Sequence, residues 1–153
     1  MRLLIAVWVA AALLAMPMAN AQDASTKAET TSEPQEADIG EIMVLQQMRH
    51  IKLWFAGQAG NWPLAGYEID KLKEGFEGVD KLMGGDTVEQ AVGAPIAALE
   101  KAVEAEDREA FTRGFDRLSA GCNSCHRLLD HAFIVIQRPS QLPYSNQSFA
   151  PQT

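Results

Sequence analysis

The sequence lacks several features that would assign it to common functional classes. Its longest apolar run covers residues 3–16 only, which is too short for a membrane-spanning helix. Acidic residues outnumber basic ones by 20 to 13, and the net charge of −7 argues against a nucleic acid or an anionic membrane as partner. No strand-like alternation of useful length precedes residues 133–136, and no nucleophile–base pair or paired acid site is recognisable. We therefore expect an all-helical protein that is not an enzyme.

The N-terminal segment has the features of a secretory signal peptide. Arg2 supplies a short basic start, the apolar run follows, and Ala19-Asn20-Ala21 matches a small-x-small cleavage pattern. No cysteine stands near the cleavage point, so lipid anchoring is not expected. We predict a signal peptide over residues 1–21, cleavage before Gln22, export to the periplasm and no membrane span in the mature protein.

Residues 22–37 and 38–136 differ in hydrophobic pattern. The first stretch is rich in Ser, Thr, Glu and Ala without an apolar period, which indicates a disordered linker. The second stretch carries helical periodicity from Asp38, an N-cap residue with Glu41 three positions on. A second helix follows Asn61-Trp62-Pro63. Its apolar seam is formed by Ala65, Ile69, Leu72, Phe76, Val79 and Met83.

Two further helices complete the predicted domain. Thr87 and Gln90 resemble a capping box that opens the third helix, which Pro95 then interrupts or kinks. Asp107 caps the fourth helix. Its buried face is formed by Phe111, Phe115, Leu118, Cys122, Cys125 and Leu129. Four helices with short connections favour an antiparallel up-down-up-down bundle.

An extended tail over residues 137–153 follows the predicted bundle. It either folds back along the bundle or is disordered.

The two cysteines of the chain stand together in GCNSCHRL, residues 121–128. Cys122 and Cys125 are three residues apart and His126 follows directly, which is the attachment pattern of c-type haem. Two thiols at that spacing can add to the two vinyl groups on one edge of the haem ring, and the adjacent imidazole can then ligate the iron. Because His126 lies four residues after Cys122, all three groups are expected on the buried face of the fourth helix.

Zinc binding, thiol redox chemistry and a structural disulfide are the alternative interpretations of this motif. Zinc prefers four ligands, and no second cysteine or histidine pair with finger-like spacing accompanies the motif. A thioredoxin-type pair would need a βαβ context, and a disulfide across three residues of a helix would be strained. An export signal and a helical bundle both agree with haem. We therefore predict one covalently bound haem c with its iron.

The stretch LEKAVEAEDREAFTRGFDRLSAGCNSCHRL resembles the last two helices of the cytochrome c prime family and its low-spin, methionine-ligated relatives. Those proteins are exported four-helix bundles with Cys-x-x-Cys-His near the end of the fourth helix. The resemblance implies that Cys122 and Cys125 are the thioether anchors and that His126 is the proximal iron ligand. The chain departs from the family in its short middle helices and in the added tail ending YSNQSFAPQT.

A second axial ligand is expected from the N-terminal half of the first helix, which lies beside the C-terminal half of the fourth in an antiparallel bundle. Met43, Met48 and His50 are the residues there that could bind iron. A helical wheel places Met43 and His50 on one face and Met48 more than a quarter-turn away. We therefore favour His50 as distal ligand, then Met43, with an open or water-filled position as the alternative.

Two further residues are expected near the haem without binding iron. Arg127 is expected to pair with a haem propionate or to lie on the surface. His131 is expected to be exposed or near the haem rim.

The predicted haem site is compatible with two functions. With two strong-field ligands the iron stays six-coordinate and its reorganisation is small, which favours electron transfer. With a vacant distal face the protein would bind or scavenge NO- or CO-type gases, as five-coordinate members of the family suggest. We expect a monohaem electron-transfer cytochrome and a redox partner protein, for which a basic surface would suit the acidic chain. The sequence leaves open whether the chain forms a homodimer.

Overall fold

Residues 38–142 and 144–152 are described by the computed structural model of the chain. They form four α-helices, and no β-strand occurs among them. The helices are α1 (Ile39–Ala59), α2 (Trp62–Met83), α3 (Thr87–Glu104) and α4 (Arg108–Leu128). Successive helices pack against each other and α1 also contacts α4, which confirms the predicted all-α, antiparallel four-helix bundle. The predicted signal peptide and linker lie outside the described residues.

Local side-chain caps begin two of the helices where the sequence predicts them. At the start of α1, the Asp38 carboxylate accepts a hydrogen bond from the Glu41 N–H, with an O···N distance of 2.9 Å. At the start of α4, Asp107 accepts in the same way from the Ala110 N–H, also at 2.9 Å. Gly60 ends α1 with φ 72°, a left-handed conformation that glycine adopts without steric cost. The resulting turns are short, and short turns make consecutive helices antiparallel neighbours.

The start of α3 differs from the prediction. The expected capping box of Thr87 and Gln90 is wrong, because the N-cap residue is Asp86 and its side chain makes no capping hydrogen bond. Instead, the backbone N–H groups of Val88 and Glu89 donate to the carboxylate of Asp80 in α2, at 2.8 and 2.9 Å. Two charge-assisted hydrogen bonds therefore satisfy the first turn of α3 and fix this buried carboxylate at the same time.

At Pro95 the structure has one continuous helix rather than two. Proline has no N–H, so Pro95 cannot bond to the Ala91 carbonyl one turn earlier. Gly121 of α4 lies against that carbonyl, and a Cβ on Gly121 would be 2.5 Å from the Ala91 oxygen. The missing side chain therefore lets α4 approach α3 closely, immediately before the cysteine motif.

One face of each helix forms the core. The apolar residues that are less than a tenth exposed are Leu53, Ala56, Ala65, Ile69, Leu72, Phe76, Val79, Val88, Val92, Ile96, Leu99, Ala102, Phe111, Phe115, Leu118, Cys125 and Phe149. The predicted seams of α2 and α4 are buried along most of their length; Met83 and Cys122 are partly buried and Leu129 is exposed. In the described part of the chain, no helix combines the length and the apolar character needed to cross a membrane.

The tail after α4 folds back along the bundle, which is one of the two predicted outcomes. Phe149 is buried beside Phe55 of α1, with 6.0 Å between the ring centroids. The side-chain amide of Asn61 donates to the Ala150 carbonyl at 3.2 Å. The tail contains no helix or strand among its described residues, so such side-chain contacts attach it to the bundle.

Replacing Gly57 by alanine tests how closely α1 and α4 approach each other. A Cβ at Gly57 would lie 2.2 Å from Cε1 of Phe111, and both residues are buried. We expect Gly57→Ala to lower the free energy of unfolding by about 1–3 kcal/mol, because overpacking forces the ring to move.

Gly66→Ala in α2 is the matched control, since its Cβ would meet Val103 at an ordinary 3.9 Å. Alanine is the better helix former, so this change should raise the free energy of unfolding by about 0.5–1 kcal/mol. Denaturant unfolding measures both variants. Equal effects of the two changes would contradict the described contact between α1 and α4.

Candidate cofactor site

A cavity of about 290 Å³ lies between the N-terminal half of α1 and the C-terminal half of α4. From α1 and α4 its lining residues are Gly40, Met43, Val44, Gln46, Gln47, His50, Leu118, Cys122, Cys125 and His126. From α2, α3 and the segment after α4 they are Leu72, Phe76, Val79, Val88, Val92, Leu129, His131, Ile134 and Ile136. Most of these side chains are apolar, and the volume is at the lower end of the range for small-molecule sites.

α4 presents both thiols and one imidazole to this cavity. Cys122 and Cys125 are one helical turn apart and His126 is four residues after Cys122, so one face of α4 carries all three. Cys125 is buried, Cys122 and His126 are partly buried, and both thiols are free. The predicted inward orientation of the motif is confirmed.

Burial raises the pKa of both thiols. The pKa of Cys122 rises from 9.0 to about 12, because desolvation disfavours the thiolate more than the local backbone hydrogen bond favours it. The pKa of Cys125 is also raised, first by burial and then by the negative charge of Asp80. The thiolate is the form that ligates zinc and attacks disulfides. An environment that keeps both thiols protonated at neutral pH makes them poor nucleophiles toward a disulfide, so it gives no support to the thiol-redox alternative.

The ring of His126 is oriented by a backbone carbonyl beyond the end of α4. Its Nδ1 lies 2.9 Å from the oxygen of Ile134. A carbonyl oxygen only accepts hydrogen bonds, so Nδ1 is the protonated nitrogen. In the neutral ring Nε2 then keeps its lone pair, which is the arrangement in which a histidine ligates a metal.

His50 faces the same cavity from α1 and is buried, with 4% of its surface exposed. The Ser119 hydroxyl donates to the Phe115 carbonyl at 3.0 Å, so it accepts the hydrogen bond from His50 Nε2 at 2.8 Å. The His50 ring also lies 4.2 Å from the Phe115 ring, centroid to centroid. Burial lowers the pKa of His50 from 6.5 to about 4, which keeps the imidazole neutral at pH 7. The residue predicted as distal ligand therefore reaches the cavity with Nε2 already bonded to Ser119.

The other residues considered from the sequence fall in different places. Met43 is partly buried and lines the cavity, whereas Met48 is partly buried outside its lining, as the helical wheel predicts. His131 is exposed and lies at the rim. Arg127 is exposed on the outer side of α4, where it donates to the Ser124 hydroxyl at 3.1 Å. The pairing of Arg127 with a haem propionate stays a prediction.

Gln46 is a cavity residue that the sequence analysis missed. It is 7% exposed, and its Oε1 is the one buried side-chain nitrogen or oxygen among the described residues that has no hydrogen-bond partner. Gly75 of α2 makes room for this amide, since a Cβ there would lie 1.7 Å from Gln46 Nε2. Its position three residues after Met43 and four before His50 was the available signal, because that spacing puts all three on one face of α1.

The residues of the cavity fit a covalently attached haem. Its walls are apolar, as a porphyrin ring requires, and two thiols with one tautomer-fixed imidazole stand together on one side. The unpartnered Oε1 of Gln46 offers an acceptor on the α1 side. Within residues 38–142 and 144–152, no group of three or more His, Cys, Asp or Glu side chains is placed to hold a bare metal ion.

Comparison of the chain with protein-family models, curated proteins and solved structures gave no match in any of the three. The resemblance of the last two helices to cytochrome c prime therefore stays a prediction.

Protonation of His50 should make the haem-free chain less stable in acid. Its pKa is lower in the folded state, about 4 against 6.5, so the unfolded chain binds the extra proton between these values. Stability should therefore fall as pH drops from about 6.5 through about 4 and level off below. The full loss attributable to this group is about 3 kcal/mol.

His50→Gln is the control, because it removes the titrating ring and leaves the carboxylates of the chain unchanged. Denaturant unfolding of both proteins between pH 3.5 and 7.5, a range of about two units on either side of the midpoint, isolates the contribution of His50 as a difference. Parallel stability curves would show that His50 is not buried in its neutral form.

Proposed function

We propose that this chain is an exported c-type cytochrome that carries one covalent haem and transfers electrons. The observation that carries the proposal is that Cys122, Cys125 and His126 line one apolar cavity, opposite possible ligands on α1. Export rests on the signal-peptide pattern of residues 1–21.

The residues of α4 would hold the haem. Cys122 and Cys125 would form the two thioether bonds, and His126 would ligate the iron through Nε2, since its Nδ1 is bonded to the Ile134 carbonyl. The bound haem would supply a one-electron iron couple in an apolar environment. The apolar side chains that α2 and α3 contribute to the cavity wall would limit the access of water to a bound haem, and a site with little water would reorganise little when an electron is transferred.

A second axial ligand from α1 would make the iron six-coordinate. His50 is neutral at pH 7 and lines the cavity, so its ring can act as a ligand when the ring proton moves from Nε2 to Nδ1 and Nε2 binds iron in place of the Ser119 hydroxyl. Met43 lines the same wall one helical turn before Gln46 and is the alternative ligand. Either residue would suppress chemistry at the iron and leave electron transfer as the activity.

Binding of NO- or CO-type gases is the second candidate function. It is favoured by one observation, the hydrogen bond of 2.8 Å between His50 Nε2 and Ser119, which already satisfies the nitrogen that a distal ligand would use. With His50 retained by Ser119, the α1 side would present Met43 and the Gln46 amide to a small ligand.

For the electron-transfer function, the partner would be a redox protein. The chain is acidic, so a basic surface on that partner would suit it.

Expression with haem-maturation machinery should give a protein with a Soret band that survives acid extraction, because the haem is covalently bound. Cys122→Ala and Cys125→Ala should each leave one thioether. The pyridine haemochrome band of each variant should then move to longer wavelength, since one vinyl group remains unreacted. Ser124→Ala, an exposed position between the two cysteines, should keep the wild-type spectrum. A wild-type protein without a Soret band would refute the proposal.

The spin state of the oxidised protein distinguishes the two candidate functions. A low-spin spectrum that carbon monoxide leaves unchanged after reduction indicates electron transfer. In that case His50→Ala should convert the spectrum to high spin and allow carbon monoxide to bind, whereas His131→Ala at the exposed rim should change neither. If His50→Ala stays low-spin, then Met43→Ala should convert the spectrum instead. A high-spin wild type that binds carbon monoxide at once favours the gas-binding function.

A further inference from the structure

The cysteine motif is tied to the polypeptide that follows α4 by a residue inside the motif. The Asn123 side chain donates from Nδ2 to the Ile136 carbonyl at 2.8 Å, and its Oδ1 accepts from the Ile136 N–H at 2.7 Å. One amide therefore satisfies both backbone groups of a single residue. Such a paired contact fixes the orientation of the bound peptide as well as its position.

The same segment supplies the hydrogen-bond acceptor for His126. The Ile134 carbonyl lies 2.9 Å from His126 Nδ1 and is two residues before Ile136. Asn123 and His126 are neighbours on α4, three residues apart. The amide and the imidazole therefore hold one short peptide at two points, and the position of the acceptor depends on both.

Burial of apolar side chains accounts for only part of the position of this segment. Ile134 and Ile136 line the cavity and Ile136 is partly buried, but Phe133 is 79% exposed, Val135 69% and Ile134 42%. The nearest ion pair, Arg138 with Asp116, is about half exposed at both side chains, and exposed pairs contribute little to stability. The polar contacts to α4 therefore fix the orientation of residues 134–136 at the cavity.

We propose that Asn123 is a positioning residue that, through Ile136, keeps the Ile134 carbonyl in place as acceptor for the Nδ1–H of His126. This inference rests on the proposed function, in which His126 ligates iron. A hydrogen bond from Nδ1 to a carbonyl fixes the tautomer and raises the basicity of Nε2. A more basic axial ligand stabilises ferric over ferrous iron, so Asn123 would lower the reduction potential of the haem.

The test compares holoprotein variants of Asn123 with a variant that loosens the tail elsewhere. Asn123→Leu keeps the branching of the side chain at Cγ and removes both hydrogen bonds to Ile136. Asn123→Ala is the second variant, for use if the leucine protein does not fold. Arg138→Gln is the matched control, because it breaks the ion pair with Asp116 two residues beyond Ile136 and leaves the amide contact intact.

Two measurements are made on the haem-loaded proteins, the reduction potential and the rate at which the His126 Nδ1 proton exchanges with solvent. In Asn123→Leu we expect the ferric-to-ferrous ratio at a fixed potential to fall about tenfold, equal to about 59 mV for a one-electron couple, toward higher potential. Proton exchange should become faster in the same variant. Arg138→Gln should match the wild type in both measurements.

Unchanged potential and exchange in Asn123→Leu or Asn123→Ala would overturn the inference while haem binding stands. Equal shifts in the Arg138→Gln control would overturn it as well, because loosening any part of the tail would then suffice. A wild-type chain that acquires no haem would refute the proposed function and this inference together. That third result is recognised by the missing Soret band before any variant is compared.

Discussion

Packing of Phe115 between α1 and α4 is the contact on which the cavity depends. Its ring lies 4.2 Å from the His50 ring and 4.9 Å from that of Trp54, so bulky side chains keep the two helices apart at this level. One turn toward the start of α4, Phe111 fits only because Gly57 has no side chain. Aromatic rings thus fill this half of the α1–α4 interface. Beyond Phe115 and Leu118 the α4 face continues with the smaller side chains of the two cysteines, and the space between the helices stays open as the cavity.

Buried polar side chains at the cavity indicate that the cavity is not merely a gap left by poor packing. Gln46 and His50 are buried on α1, and Ser119 is buried facing them on α4. An apolar residue would pack at each position without the desolvation cost of a buried polar group. The His50–Ser119 pair offsets that cost with a hydrogen bond, whereas Gln46 Oε1 does not. Buried groups that lower stability are expected at functional sites. The unpartnered Gln46 Oε1 is such a group, and it lies across the cavity from the cysteine motif.

Local features of the fold could be predicted from the sequence, and contacts between distant segments could not. Asp38 and Asp107 cap helices through residues three positions away, so a short pattern contains all the necessary information. The cap of α3 comes from Asp80 on another helix, and the missing partner of Gln46 results from how α1 meets α2. For the candidate site, helical spacing predicted that the motif faces inward. It could not indicate that Ser119 would engage His50, because those residues are 69 positions apart.

The tail connects the two helices that flank the cavity, and this connection bears on how a cofactor would be held. Asn123 fixes residues 133–136 to α4, and farther on the Arg138 guanidinium lies 5.1 Å from the Trp54 ring of α1. Phe149 then packs on α1 near its C-terminal end. Because the α4 end of this connection is a residue between the two cysteines, a change in the orientation of the motif would be transmitted to the tail. The tail is therefore attached to both helices, whereas the segment that orients His126 is held directly by Asn123 of α4, and the imidazole acquires a fixed direction although it is only partly buried.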